Sequence, residues 1–125
     1  MIENGNIYVY ALNHKDSVAT QITSFSSGEI NIMTLYFDTD SGYLWSGCDN
    51  HCEGRMNVFS LNKGSFSNIA TFNRPSTMPN YNNEGFSLLP DSECVSGMKA
   101  VFWSDDDCDN GHAIYQDTVP CGQFI

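Results

Sequence analysis

The chain has 125 residues, of which 41% are hydrophobic and 13% aromatic, and this composition indicates a globular protein with a modest core rather than a disordered chain. Fifteen acidic residues against five basic ones give a formal net charge of −10, which disfavours binding to nucleic acids and to anionic membrane surfaces. No run of eighteen apolar residues occurs, so the sequence predicts no membrane-spanning helix.

The first predicted strands lie close to the start of the chain. Residues 7–12 alternate in side-chain type between the turn-like pairs Asn4-Gly5 and Asn13-His14, as a strand does. Residues 18–25 form its partner. Four further strands are predicted at residues 30–37, 43–47, 56–61 and 66–72, with turns at Asp38–Gly42 and Asn62–Gly64. These four strands make one complete antiparallel unit.

The last unit follows a long polar connection at residues 73–83. Three strands are predicted after it, at residues 85–89, 99–104 and 112–117. No segment shows the 3.6-residue periodicity of a helix, so the sequence predicts an all-β fold.

One phrase of the sequence recurs. Gly5–Asn13 and Gly54–Asn62 share glycine, valine, an aromatic residue, leucine and asparagine in register, and each leads to a similar strand. Gly111–Tyr115 is a weaker third copy, and Leu44–Ser46 matches Phe102–Ser104. A period of about fifty residues built from short strands is typical of a β-propeller blade. The alternative is chance similarity between amphipathic strands.

We therefore expect an incomplete propeller of about two and a quarter antiparallel four-stranded blades. Residues 1–28 would give the outer strands of one blade, residues 29–73 a complete blade, and residues 74–125 three strands of the last blade. Because a ring needs at least four blades, the partners are expected to be the remaining blades of a longer chain, with this chain as its C-terminal part, or further copies of this chain.

The cysteines favour a disulfide framework, because none forms the Cys-x-x-Cys pair of zinc and redox sites. Cys48 and Cys52 would close a small ring within a loop. Cys94 and Cys121 follow the first and third strands of the last unit, so they emerge at the same edge of the sheet and would pin its open end. Cys108 is then left free or pairs with another chain.

The cysteine pattern also bears on the compartment. Disulfides imply an oxidising environment, so we expect an extracellular protein, although Met1–Asn4 lacks the basic and apolar regions of a signal peptide. The alternative is a metal site formed by Cys48, His51 and Cys52, which supplies only three close ligands.

Five phrases suggest a known family. They are Leu44–Arg55, Asn73–Pro75, Met78–Phe86, Val101–Asp106 and Gly111–Ala113. Together they resemble the C-terminal blades of secreted β-propeller proteins related to phytase-like and esterase-like propellers, and the Asn82–Phe86 and Trp103–Asp106 phrases are the most specific. The resemblance implies an exported six-bladed ring with a polar central channel, in which phytase-like members hold calcium ions.

The predicted topology locates a candidate site. The first strand of a blade begins, the second ends and the third begins at one edge, so Glu84, Asp105–Asp109 and His112 should converge there. In the preceding blade the same edge carries Asp49, His51 and Glu53. One face of the assembly should therefore be acidic.

Clustered carboxylates repel one another, which raises their pKa values unless a cation neutralises them, and oxygen ligands on irregular loops suit calcium. We therefore expect a calcium site formed by Glu84, Asp105, Asp106 and Asp107. The alternative is that these aspartates belong to a solvated turn. Glu84 could also act as a catalytic base, which would require burial, or accept backbone hydrogen bonds as a structural residue.

Other residues carry weaker predictions. His112 is a base, a ligand or a strand-end histidine, and the last is commonest. Trp45 and Trp103 occupy equivalent positions in the repeat, which favours packing between blades. No Ser/His/Asp nucleophile system can be argued from the sequence.

Two alternative functions are thus expected. The first is calcium-dependent hydrolysis of a phosphate or carboxylic ester by a secreted propeller of the phytase-like or esterase-like type. The second is a non-catalytic extracellular propeller that binds a protein or carbohydrate.

Overall fold

The computed structural model describes residues 5–106, 111 and 113–122. These residues form nine strands and two short 3₁₀ turns, Asn50–Cys52 and Asp91–Glu93, and contain no α-helix. The strands are β1 (Asn6–Asn13), β2 (Val18–Ser26), β3 (Ile32–Asp38), β4 (Tyr43–Cys48), β5 (Met56–Asn62), β6 (Ser65–Phe72), β7 (Asn83–Leu88), β8 (Met98–Asp105) and β9 (Ile114–Pro120). The predicted all-β fold is confirmed.

The strands form three antiparallel meanders. The first sheet is β1-β2, the second is β3-β4-β5-β6, and the third is β7-β8-β9. The hairpin between β5 and β6 shows why the chain turns where the sequence predicts. Lys63 and Gly64 both have positive φ values, of 50° and 80°, as the two central residues of a type I′ turn require.

The sequence repeat in the first and second sheets is also a structural repeat. Val9 pairs with Thr23 in the first sheet, and Val58 pairs with Ala70 in the second. Each pair is followed by a β-bulge, which leaves Ile22 outside the ladder of the first sheet and its counterpart Ile69 outside that of the second. The β1-β2 and β5-β6 hairpins therefore share the same register and the same bulge.

The second and third sheets repeat one another in the same way. The bulge between Ile32 and Thr34 has its counterpart between Asn83 and Gly85. The backbone N–H of Cys48 donates to Arg55 (3.0 Å), and that of Asp105 donates to Ala113 (2.9 Å). The structure thus makes Asp105 the counterpart of Cys48.

This register corrects one sequence interpretation. Because Cys48 corresponds to Asp105, the counterpart of Trp45 is Phe102, not Trp103, and the weak third copy at Gly111–Tyr115 is likewise one residue out of register. A shift of one residue moves a side chain to the other face of a sheet. Trp45 and Trp103 therefore lie on opposite walls of one interface, and both contact the ring of Phe86, at 5.4 and 5.6 Å between centroids.

The main core lies between the second and third sheets. It is a single cluster of buried side chains: Trp45, Met56, Val58, Met78, Tyr81, Phe86, Leu88, Val101 and Trp103. The first strands of the two sheets, β3 and β7, lie beside each other, and the Tyr36 hydroxyl on β3 donates to the backbone oxygen of Leu88 (3.0 Å). The packing that the sequence predicts between sheets is present here.

A buried ion pair closes one end of this interface. The Lys99 ammonium lies 2.8 Å from Asp91 Oδ1 and 3.8 Å from Asp38 Oδ2. The Asp91 backbone N–H donates to Asp40 (2.7 Å). Burial alone would lower the pKa of Lys99, but the hydrogen bond to Asp91 and the nearby carboxylate charges raise it above its ordinary value. The ion pair therefore joins the second and third sheets.

Candidate functional site

The other end of the interface carries the predicted acidic edge, which we define by Asn82, Glu84, Asp105 and Asp106. Asn83 at the start of β7 pairs with Asp105 at the end of β8. The Asp106 backbone N–H donates to the Asn82 oxygen (3.2 Å). The end of β8 and the start of β7 therefore meet, as the topology predicts.

Asn82 joins two of the predicted ligands. Its side-chain Nδ2 donates to Asp106 Oδ2 (2.7 Å) and lies 3.4 Å from Glu84 Oε1. Both carboxylates are exposed. One amide group thus brings two acidic side chains to a common point.

The other two predicted ligands are not brought to that point. Asp105 is buried and follows the alternation of β8, so it shares the core-facing side with Val101 and Trp103. Asp107 lies outside the described residues, as do His112 and Cys108. The structure therefore groups Glu84 and Asp106 and turns Asp105 toward the interior.

A buried amide lies beside Asp105. Asn83 is 1% exposed, and neither Oδ1 nor Nδ2 of its side chain has a hydrogen-bond partner among the described residues. The counterpart of Asn83 in the second sheet is the apolar Ile32. A buried amide without hydrogen-bond partners costs free energy, a cost that the apolar Ile32 at the corresponding position does not incur.

Tyr81 lies below the acidic edge and stacks on Tyr115, with 4.7 Å between ring centroids. The side chain is 6% exposed. Burial, together with the charges of Tyr115 and Asp105, raises the pKa of Tyr81 well above its ordinary value. The hydroxyl therefore stays protonated at neutral pH and does not act as a base.

The preceding sheet contributes a capped loop to the same edge. Asp49 accepts the backbone N–H of His51 (2.9 Å), and its other oxygen lies 3.1 Å from His51 Nδ1. The Asn80 side chain donates to the Asn50 backbone oxygen (3.2 Å), which ties this loop to the connection before β7. Glu53 is exposed, with a left-handed backbone. Asp49 therefore works as a cap rather than a free carboxylate.

The cysteines form the two pairs that the sequence favours. Cys48 pairs with Cys52 and Cys94 with Cys121, with Cα–Cα distances of 5.9 and 6.2 Å. The second pair links the segment that follows β7 to the end of β9, where the Cys121 N–H also donates to Gly97 (2.9 Å).

The alternative metal site is not assembled as the sequence suggested. The described group with three close ligand atoms is Glu29, Cys48 and Cys52, whose atoms lie within 4.8 Å of one another, whereas His51 contacts Asp49. Arg55 already holds both oxygens of Glu29, at 2.6 and 3.0 Å. A paired carboxylate beside a paired disulfide offers little to a metal ion.

Sequence reasoning missed Asn82, Asn83 and the pair of Arg55 with Glu29. The Asn82–Phe86 phrase marked the first two by resemblance, but their roles depend on the register of β7 against β8. No short-range signal marks the third, because 26 residues separate the partners.

Comparisons with known proteins add no relative: no family model, curated protein or solved structure matches the chain. Within residues 5–106, 111 and 113–122, no helix is long and apolar enough to cross a membrane.

Proposed function

We propose that the chain is a segment of a β-propeller wall. The observation that carries this proposal is the shared register of consecutive sheets, with bulges at corresponding places and the first strands of the two sheets, β3 and β7, side by side. Radial repetition of such a unit generates a propeller. Further blades, from a longer chain or from other copies, complete the ring.

Electron microscopy of the assembled protein tests this architecture. Ring-shaped particles with a central channel support the proposal. A two-layer sandwich or an open linear stack of sheets contradicts it.

The propeller works outside the cell. Two disulfide pairs in a chain of this size are typical of proteins that fold in an oxidising compartment. The Cys94–Cys121 pair ties the segment after β7 to the segment after β9, and so joins the first and last strands of the third sheet. Peptide mapping without reducing agent, on protein isolated from its source, tests both pairs.

The acidic edge binds calcium. Asn82 Nδ2 lies at one point between the oxygens of Glu84 and Asp106, and a half-turn of the amide would place Oδ1 there instead. Three oxygen atoms would then face a cation, and calcium accepts such ligands in flexible geometry. Asp107 is a fourth candidate from the sequence.

We assign this edge a binding role rather than a hydrolytic one. A carboxylate that acts as a general base is usually shielded from water. Glu84 and Asp106 are both exposed. The proposed function is thus that of a calcium-stabilised extracellular propeller with a binding role, for a protein or a carbohydrate, rather than a hydrolytic one.

Thermal unfolding with and without calcium tests the role of the edge. The melting temperature should rise with millimolar calcium in the original chain, and the rise should disappear in Glu84→Gln and Asp106→Asn. Asp16→Asn is the matched control, because Asp16 is exposed and its hydrogen bonds among the described residues stay within its own turn, to Asn13. An unchanged calcium response in the Glu84 and Asp106 variants contradicts the site. Calcium-dependent turnover of a phosphate monoester or a carboxylic ester contradicts the binding role and restores the hydrolase.

A further inference from the structure

The second sheet exposes a strip of large apolar side chains on β3, which we call the β3 strip and define by Met33, Leu35 and Phe37. These residues alternate with less exposed ones along the strand. Leu35 is 50% exposed, Phe37 51% and Met33 37%. A contiguous exposed apolar patch is typical of a contact surface, whereas singly exposed apolar residues are common on any protein.

The corresponding side chains of the third sheet are buried. In the register that makes Asp105 the counterpart of Cys48, Phe86 is the counterpart of Leu35, and Leu88 is that of Phe37. Phe86 is 8% exposed and Leu88 5%. The same face is therefore covered in the third sheet and bare in the second.

The cover of Phe86 and Leu88 is the first strand pair of the second sheet. The rings of Tyr36 on β3 and Trp45 on β4 lie 6.1 and 5.4 Å from the ring of Phe86, between centroids. The Tyr36 hydroxyl also donates to the Leu88 backbone oxygen (3.0 Å). The structure thus shows which kind of element covers this face: an antiparallel strand pair of the preceding sheet.

The first sheet covers only part of the corresponding face of the second sheet. Phe37 pairs with Leu44, and Leu44 pairs with Phe59, so these three side chains share one face. On that face, Phe25 of the first sheet packs against Phe59 (5.2 Å between centroids) and stacks on Phe66 (4.8 Å). The β3 strip is therefore continuous with an interface that already exists.

The first sheet lacks the strand pair that would extend this interface over the β3 strip. Its strands β1 and β2 are the counterparts of β5 and β6, and among the described residues β1 pairs with β2 alone. Met1–Asn4 lie outside the described residues. Because Gly5 is the counterpart of Gly54, these four residues correspond in sequence to the loop Asn50–Glu53, not to β3 or β4.

We propose that the β3 strip is the docking surface for an antiparallel strand pair that joins the first sheet at the edge of β1. An exposed strand edge presents backbone groups that pair with an added strand. Trp45 on β4 pairs with Val58, whose counterpart is Val9, so the strand next to β1 places an aromatic residue opposite Val9. The second strand of the pair then covers Leu35, as β3 covers Phe86.

The pair does not come from the described strands of a second copy. The strand beside β1 needs one free edge, whereas β4 and β8, the strands of the required kind, are each paired on both sides. The pair is therefore a further segment of the propeller wall, with the apolar and aromatic pattern of β3 and β4. This inference rests on the proposed propeller, because it treats the first sheet as a blade without its first two strands.

An extended chain tests the proposal. A second copy of residues 30–53 replaces Met1–Asn4 and leads directly into Gly5, as the original copy leads into Gly54. Hydrogen exchange followed by mass spectrometry should show that the β1 amides exchange at least about tenfold more slowly than in the original chain, because a second ladder protects them. A separate peptide of residues 30–53, added to the original chain, provides the same readout if the extended chain does not fold.

A control extension tests whether side chains drive the docking. It carries Tyr36→Ala and Trp45→Ala in the added copy alone, so it keeps the backbone of the strand pair and loses the two rings that would cover the β3 strip. Most of the added protection of β1 should disappear.

Substitutions in the β3 strip test the surface itself. Leu35→Ala with Phe37→Ala, in the original copy, should change the unfolding equilibrium constant little in the original chain, where both side chains are half-exposed. In the extended chain the effect should be at least about tenfold larger, because both side chains become buried. Urea denaturation measures both effects. Leu12→Ala, at a 64% exposed position on β1, is the control and should have equal effects in the two chains.

Three results overturn the proposal: unchanged exchange of the β1 amides, equal protection by the control extension, or equal effects of the β3 strip substitutions in both chains. Sedimentation of the original chain should show a monomer. A dimer that Leu35→Ala with Phe37→Ala abolishes assigns the β3 strip to a second copy and also overturns the proposal. Protection of β1 in a protein that forms no rings keeps the docking surface and removes the propeller, and rings without any response of β1 do the reverse.

Discussion

The guanidinium of Arg55 binds the carboxylate of Glu29 through two hydrogen bonds, from Nε to Oε1 (2.6 Å) and from Nη2 to Oε2 (3.0 Å). Glu29 follows the first sheet, and Arg55 immediately precedes β5 of the second. Asn57 on β5 also approaches both Glu29 Oε1 (3.4 Å) and the Ser27 oxygen (3.5 Å). The hydrogen bond and charge of Glu29 raise the pKa of Arg55. A polar clamp therefore joins consecutive sheets.

Replacement of Arg55 should loosen this clamp. Arg55→Ala should lower the free energy of unfolding by about 1–2 kcal/mol, less than for a fully buried pair because the Arg55 side chain is 41% exposed. Urea denaturation measures the change. Lys15→Ala, in an exposed turn, is the control and should change stability little. Equal effects of the two substitutions would show that the clamp contributes nothing.

Replacement of Lys99 should have a larger effect. Lys99→Met leaves the Asp38 side chain, which is 7% exposed, without its cation, so unfolding should become easier by about 2–4 kcal/mol at neutral pH. Lys63→Met at an exposed turn is the control. The two variants are compared by urea denaturation.

The contribution of Lys99 should also depend on pH. Because the folded-state pKa is raised above the ordinary value of 10.5, the stabilisation is fully present below that pH. It is lost as pH rises through the folded-state pKa. The stability difference between the original chain and Lys99→Met should therefore stay constant from about pH 7 to about pH 10 and shrink above it. A difference that grows at high pH would contradict this account.

Tyr81 should titrate abnormally. Its pKa is raised from the ordinary value of 10.0 by burial first, so the folded state disfavours the phenolate. The unfolded chain ionises earlier, which means that this stabilisation is present below about pH 10 and is lost as pH rises above it. Ultraviolet absorbance should show a phenol that ionises only with unfolding, and Tyr81→Phe should remove it. Tyr8→Phe, half-exposed on β1, is the control and should leave the late-ionising phenol in place.

Much of the fold is readable from the sequence because its signals are local. Alternation and turn residues locate all nine strands, and the positions of Val9 and Val58 are equivalent in register and in the bulge that follows. The third sheet is harder. Its copy of the repeat is short, and the bulge between Asn83 and Gly85 leaves no signature in the sequence. Aligning the repeat one residue out of register there made Trp103 the counterpart of Trp45, a position that the structure gives to Phe102.

The candidate site, too, is predictable from the sequence only in part. Topology alone brings Glu84 and Asp106 to one edge, as predicted. The inward orientation of Asp105 depends on which face of β8 it occupies, and the one-residue error in register hid that face. The role of Asn82 could not be read from the sequence, because an asparagine before a strand is ordinary turn chemistry.

The two disulfides should differ in what they contribute. In the chain-entropy view, a bridge stabilises by closing a loop in the unfolded chain, so the effect grows with sequence separation. The separations are 27 residues for Cys94–Cys121 and 4 for Cys48–Cys52, which correspond to about 3.5 and about 2 kcal/mol. Paired replacement by alanine should therefore destabilise the chain more at Cys94 and Cys121, as measured by urea denaturation.

The buried positions of Cys48 and Cys52 complicate that comparison, because truncation to alanine there also removes packing. Reduction of two chains that each keep one bridge separates loop closure from packing. A reductant breaks a bridge without removing its sulfur atoms. The free energy of unfolding of each single-bridge chain is therefore measured in its oxidised and its reduced form. If reduction of a chain that keeps only Cys48 and Cys52 costs as much as reduction of one that keeps only Cys94 and Cys121, loop closure does not explain their contributions.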